Sequence, residues 1–130
     1  TIETLEPAGL APIPGAAHVT IATGSRIVHI SGQTGVDEGA IAGPTHAEQA
    51  TRALRNLRLA INAAGGAPAD IARLGLYVVD HSDAAFDAIV GAATEVFGED
   101  FPITASTLLG VAALWQPGLL FEVDAVLVIA

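Results

Sequence analysis

The most constraining part of this sequence is its C-terminal run, residues 119–130 (LLFEVDAVLVIA), which is apolar at nearly every position. A strand with one face in water alternates apolar and polar side chains, whereas near-continuous apolarity predicts a strand that is covered on both faces. The two helices predicted upstream can cover only one face of a sheet. We therefore expect another subunit to cover the second face.

The whole chain predicts the element order β-β-α-β-α-β-β. The predicted strands are residues 18–23, 26–30, 70–80, 105–114 and 119–129. Gly24 and Ser25 between the first two strands indicate a hairpin. The short loop at 115–118 likewise predicts that the last two strands form a pair, and residues 34–43 are expected to be loop.

Two stretches of the chain predict helices. Residues 46–64 carry apolar side chains at helical spacing, and Thr45 with Glu48 forms a capping box before them. Residues 83–97 predict a second helix, capped by Ser82 or Asp83. Strands and helices in this order predict an α+β fold with both helices on one sheet face. A length of 130 residues fits a single domain spanning 1–130.

Charge and composition exclude several function classes. The net charge is −9, all five basic residues are arginines, and there is no lysine. Such a chain repels phosphate backbones and anionic membrane surfaces, so neither nucleic acid nor membrane is an expected partner. Cysteine is absent, and the four histidines lack metal-ligand spacing, so no metal is expected. No membrane span and no signal peptide are predicted, so a cytoplasmic location is expected.

Two carboxylates interrupt the apolar C-terminal strand. Glu122 and Asp124 lie two residues apart, so they point to the same face. On one interpretation that face is partly wet and the acids are simply solvated. On the other they line a cleft between subunits, where apolar surroundings raise a carboxyl pKa and allow proton exchange near neutrality.

Two further polar segments admit structural and functional interpretations. Ser31-Gly32-Gln33 ends the second strand, either as a glycine-permitted bulge or as polar groups that face a pocket. Residues 104–110 place hydroxyls, including those of Ser106 and Thr107, in the next-to-last strand, either as ordinary strand residues or as ligand contacts. A Ser-His-Asp triad is not favoured, because nothing resembles a nucleophile elbow.

Taken together, these segments resemble the RidA (YjgF/YER057c/UK114) family along nearly the whole chain. The residues that carry the resemblance are Ile30-Ser31-Gly32-Gln33, the helix 49–66, the strand 70–80 and the C-terminal segments 110–114 and 121–125. The resemblance implies a chorismate-mutase-like fold and a homotrimer with a central barrel, outer helices and clefts between subunits. It also implies hydrolysis of reactive enamines and imines without metal or cofactor.

The family's site residues carry over unevenly. Glu122 matches the glutamate that positions or activates water, Ser31 matches the serine of the SGQ motif, and His18 falls where many members have a tyrosine. Ser106 stands where active members have the arginine that binds the substrate carboxylate. Among the five arginines, only Arg26 on the hairpin is a candidate to replace it, from a neighbouring subunit. The expected cleft is lined by Ser31, Gln33, His18, Ser106, Thr107 and Leu108, with Glu122 as its acid/base.

Three functions follow as hypotheses. The first is an enzyme that deaminates a small-molecule imine or enamine through Glu122 and water. Its substrate has no carboxylate at the position where the family arginine, here Ser106, would bind one. The alternative is a non-catalytic cleft that binds a small metabolite. Ribonuclease activity, a label sometimes attached to the family, is disfavoured by the net charge of −9 and the absence of lysine.

Overall fold

The computed structural model describes all 130 residues and confirms an α+β fold. The strands are β1 (Ile2–Leu5), β2 (Val19–Ala22), β3 (Arg26–Thr34), β4 (Val36–Asp37), β5 (Ala40–Ile41), β6 (Ile71–Val79), β7 (Ala105–Val111) and β8 (Phe121–Ile129); the helices are α1 (His46–Ala63) and α2 (Asp83–Phe97). Two short 3-10 turns precede β6 and follow α2.

Both predicted helices are confirmed, and so are their capping residues. The Thr45 side chain accepts from the backbone N–H of Glu48 at 3.2 Å, and the Ser82 hydroxyl accepts from that of Ala85 at 3.1 Å. Each bond satisfies an N–H that the first helical turn leaves free. Neither helix is long and apolar enough to cross a membrane.

The main sheet has the strand order β3-β8-β6-β7. β8 lies antiparallel between β3 and β6, and β6 runs parallel to β7. α2 makes the crossover that a parallel connection requires. α1 and α2 pack against each other and against one face of this sheet, where 20 buried residues form the core.

The two predicted terminal hairpins are wrong. β2 pairs with β1 instead of β3, and β6 separates β7 from β8. The turn at Gly24 packs against the end of β8, where the Ser25 N–H donates to the Ile129 carbonyl at 2.9 Å. β3 therefore pairs with β8, the most apolar strand, which takes the most buried place in the sheet. The expected loop at 34–43 also contains the end of β3 and the small β4–β5 hairpin.

The two faces of β8 differ in burial. Its odd-numbered side chains from Phe121 to Ile129 are buried against the helices, whereas the even-numbered ones, including Glu122 and Asp124, are half-buried. We call the sheet face opposite the helices the open face. It also carries Ile27 of β3 and Leu109 of β7, which are 68% and 49% exposed. One chain thus covers only one face of the sheet, and cover by a second subunit stays a prediction.

Gln49 of α1 fixes the entry to β8. Its side chain is fully buried; it donates to the carbonyls of Gly43 and Gly118, both at 2.9 Å, and accepts from the Leu120 N–H at 2.7 Å. An amide side chain can satisfy donors and acceptors together, which an apolar side chain cannot. These bonds hold the backbone two residues before Glu122 in a fixed position relative to α1.

Candidate functional site

The open face brings three titratable side chains together. β6 and β8 place Tyr77 opposite Glu122, and Gly75 opposite Asp124. The Tyr77 hydroxyl donates to Oδ2 of Asp124 at 2.9 Å. This hydrogen bond, with burial, raises the pKa of Tyr77 above 10.0. Burial, and then the charge of Asp124, raises the pKa of Glu122 above its ordinary value of 4.5.

Two glycines make room for these side chains. A Cβ on Gly32 would collide with the Glu122 carboxylate. A Cβ on Gly75 would collide with the Asp124 carboxylate and would lie 2.6 Å from the Tyr77 hydroxyl. The carboxylates therefore lie directly over the backbone of the neighbouring strands, where only glycine leaves space for them.

The Ser31-Gly32-Gln33 segment meets Glu122 at a bulge in β3. The register between β3 and β8 shifts between Ile30 and Gln33, so the bulge lies beside Glu122. The Gln33 side chain donates to the Ser31 carbonyl at 3.1 Å. The bulge agrees with the structural interpretation of this motif. The segment also lies beside the glutamate, but neither Ser31 nor Gln33 donates a hydrogen bond to its carboxylate, so the functional interpretation stays a prediction.

Thr107 of β7 also lies on the open face, as the register with Gly75 requires. Its hydroxyl accepts from Arg73 of β6 at 2.9 Å. Arg26 lies at the far end of β3, opposite Ile129, and so does not approach Glu122 of its own chain. Arg73 is thus the arginine that the fold places nearest the carboxylates.

Ser106 and Leu108 lie on the other side of the sheet. They pair with Leu74 and Leu76, whose side chains are buried against the helices. Both line a cavity of about 290 Å³ between α2, β7 and the loop that includes Ile13. We call this cavity the outer pocket.

His18 belongs to the same side of the molecule as the edge strand β7. It follows Ala17, which forms a bridge with Ala105 at the start of that strand. Its ring Nε2 lies 2.5 Å from the Ala11 carbonyl, so the imidazole forms a hydrogen bond with the N-terminal loop. The expected site residues therefore form two groups, one around Glu122 and one around Ser106.

A single chain cannot join these two groups. Ser106 is level with Leu74 and Ala125 across the sheet, and Glu122 lies three residues before Ala125 in β8. Two strand spacings and three residue rises put their Cα atoms about 14 Å apart. Because their side chains also point to opposite faces, one pocket of one chain cannot contain both.

Tyr77, Arg73 and Gly75 were not predicted as site residues. All three lie in β6 at a spacing of two, which in a strand places them on one face. This spacing was visible in the sequence, but which strand lies beside Glu122 was not. No three His, Asp or Glu side chains come together in an arrangement that could hold a metal ion.

The sequence and the fold of this chain are both similar to those of known proteins. The sequence profile of the Endoribonuclease L-PSP family matches residues 9–129. The crystal structure of YyfB from Yersinia pestis, a Rid-family protein of unknown function, superposes with a TM-score of 0.88 at 32% identity, and the match covers 98% of each chain. No curated protein sequence matches the chain significantly.

Two more distant structures share the fold. A member of the YjgF/YER057c/UK114 family from Mycobacterium tuberculosis is 25% identical with a TM-score of 0.64, over 99% of this chain and 100% of its own. TdcF from E. coli, solved with bound serine, is 24% identical with a TM-score of 0.71, over 96% and 94%. With almost its whole length matched, this chain belongs to the Endoribonuclease L-PSP family, the family of the Rid and YjgF proteins.

Proposed function

We propose that this protein hydrolyses a reactive imine or enamine of a small metabolite, with Glu122 as the acid/base and water as the nucleophile. The observation that carries the proposal is the setting of Glu122. Its carboxyl group is half-buried against the backbone of Gly32, next to Asp124, and its pKa is raised. A carboxyl group with a raised pKa holds a proton closer to neutral pH and can both donate and accept it.

The proposed cleft lies between copies of the chain. Glu122 and Ser106 lie on opposite faces of one sheet, so a site with both takes Glu122 from one copy and Ser106 from the next. The apolar side chains of Ile27, Leu109 and Val126 on the open face support such an assembly. We propose a homotrimer in which the three open faces form a central barrel and the helices lie outside.

The proposed reaction consumes one water and needs no oxidant. Protonated Glu122 gives its proton to the imine nitrogen, and water adds to the imine carbon while the Glu122 carboxylate takes up a proton. The same carboxyl group then protonates the amine of the carbinolamine. The C–N bond breaks, the hydroxyl proton returns to Glu122, and ammonia and a carbonyl compound leave.

The replacement of the family arginine by Ser106 limits the substrate. A charge-assisted hydrogen bond to a carboxylate contributes about 1.5–3 kcal/mol, and a guanidinium makes two of them. A serine hydroxyl supplies neither the charge nor the paired geometry. We therefore propose that 2-imino acids are deaminated slowly or not at all.

The alternative function is binding of a small metabolite without turnover. The outer pocket favours it, because this cavity contains no titratable side chain and can hold a ligand without reacting with it. Cleavage of RNA is not proposed, although the family bears an endoribonuclease name. A net charge of −9 and two carboxylates on the open face repel a phosphate backbone.

The Glu122→Gln variant tests the catalytic proposal. Glutamine keeps the size and hydrogen bonding of the side chain but cannot exchange protons. Imines generated in situ from several amines and amino acids serve as substrates, and ammonia release is the readout. We expect turnover to be lost in Glu122→Gln and kept in the control Glu3→Gln on β1, with the oligomeric mass unchanged in both. Equal turnover in wild type and Glu122→Gln would exclude this mechanism.

A further inference from the structure

The outer pocket is apolar on almost every side. Its wall is largely hydrophobic and includes Ile13, Phe86, Ile89, Val90 and Leu108, and Ser106 and Thr94 are its only polar side chains. Its volume of about 290 Å³ lies just below the range of roughly 300–1,000 Å³ that is usual for small-molecule sites. It therefore fits one small apolar group, such as a single aromatic ring or a branched aliphatic chain.

The two polar side chains offer acceptors only. The Ser106 hydroxyl donates to the Thr104 carbonyl at 3.0 Å, and the Thr94 hydroxyl donates to the Val90 carbonyl at 3.0 Å. Each hydroxyl has one proton, so only lone pairs remain for a ligand. No arginine, lysine or histidine lines the pocket. A carboxylate in it would lose its hydration without gaining a side-chain donor or a positive charge.

We infer that the outer pocket selects an uncharged, apolar part of the ligand, so that the substrate class is the neutral imine or enamine of an apolar carbonyl compound. This inference rests on the proposed function for the chemistry at Glu122. The selection for neutral, apolar groups depends only on the lining of the outer pocket and not on the reaction. The Ser106 lone pair accepts a hydrogen bond from an N–H or O–H of the ligand, which fixes the orientation of the bound group.

Benzamide and benzoate provide a matched pair of probes, because they share a ring and differ in charge. Binding to the full-length protein is followed through the backbone amide NMR signals of Ser106, Leu108 and Ile89. We expect benzamide to shift these signals and to bind at least tenfold more tightly than benzoate. Benzoate binding as tight as that of benzamide, or no binding of either probe, overturns the inference.

Two variants of α2 locate the site. Val90→Trp fills the pocket from its wall and should abolish benzamide binding. Gly91→Trp adds the same side chain one residue further on, where a Cβ meets nothing within 4 Å, and should leave binding unchanged. Loss of binding in both variants, or in neither, contradicts the assignment.

Ser106→Arg tests the charge argument. An arginine at this position supplies the missing cation, so the preference should reverse and benzoate should bind more tightly than benzamide. An unchanged preference contradicts the inference. Because binding is measured without turnover, a wild type that binds benzamide but never releases ammonia refutes hydrolysis alone and leaves the selectivity of the pocket standing.

Discussion

Replacement of Gln49 by leucine should destabilise the fold strongly, although the two side chains are similar in size. Gln49 is fully buried and makes three hydrogen bonds, to Gly43, Gly118 and Leu120. Leucine makes none, so two carbonyls and one N–H lose their partners. Each unsatisfied group costs about 1–3 kcal/mol when it is buried. Because the loops around these groups are partly open to water, we expect a total near 3 kcal/mol.

Urea denaturation at one fixed protein concentration measures this loss. The midpoint should fall while the slope m stays the same, because the surface exposed on unfolding changes little. Fixed concentration matters because association with other copies adds to the apparent stability. Gln116→Leu is the matched control: Gln116 is half-buried in the loop before β8, and its replacement should change stability by less than about 0.5 kcal/mol. A loss below about 1 kcal/mol in Gln49→Leu would refute the role given to these bonds.

Three further predictions concern the open face. Burial raises the pKa of Glu122 above its ordinary value of 4.5. At pH values between the ordinary and the raised pKa, the folded chain binds more protons than the unfolded chain. The free energy of unfolding should therefore fall as pH rises through this window. Denaturation midpoints against pH should show this fall in wild type and a flatter profile in Glu122→Gln. Asp124→Ala should lower the pKa of Tyr77 toward 10.0, measured from tyrosinate absorbance, which reports on the one tyrosine of the chain; an unchanged pKa would contradict the assigned cause. Gly32→Ala should displace the Glu122 carboxylate by about 1 Å and reduce any ammonia-releasing turnover roughly 100-fold without unfolding the chain, and full activity would contradict this packing.

Local sequence signals predicted the helices well, because their causes are local. The Thr45 and Ser82 caps and the apolar spacing of α1 act within a few residues. Strand pairing depends on contacts between distant segments, and there the prediction failed at both ends. The Gly24 turn resembles a hairpin turn, yet the strand that follows it, β3, pairs with β8 and not with β2. β8 lies about a hundred residues away in sequence.

The candidate site was predictable to the same extent. Glu122 is conspicuous in the sequence because it is costly to place a carboxylate in an apolar strand unless the group has partners or a function. Its partners on β6, Tyr77 and Gly75, do not stand out until the sheet order puts them beside β8. The separation of Ser106 from Glu122 likewise follows from the register of three strands, which no local pattern specifies.

The central claim is that copies of this chain cover the open face and complete the cleft between them. Static light scattering at micromolar concentration tests it most directly. We expect a stable species of about three times the chain mass of 13.1 kDa. Leu109→Asp, on the open face, should reduce this mass, whereas Leu59→Asp, on the exposed side of α1, should not. A wild-type protein that remains a stable monomer of 13.1 kDa would contradict the claim.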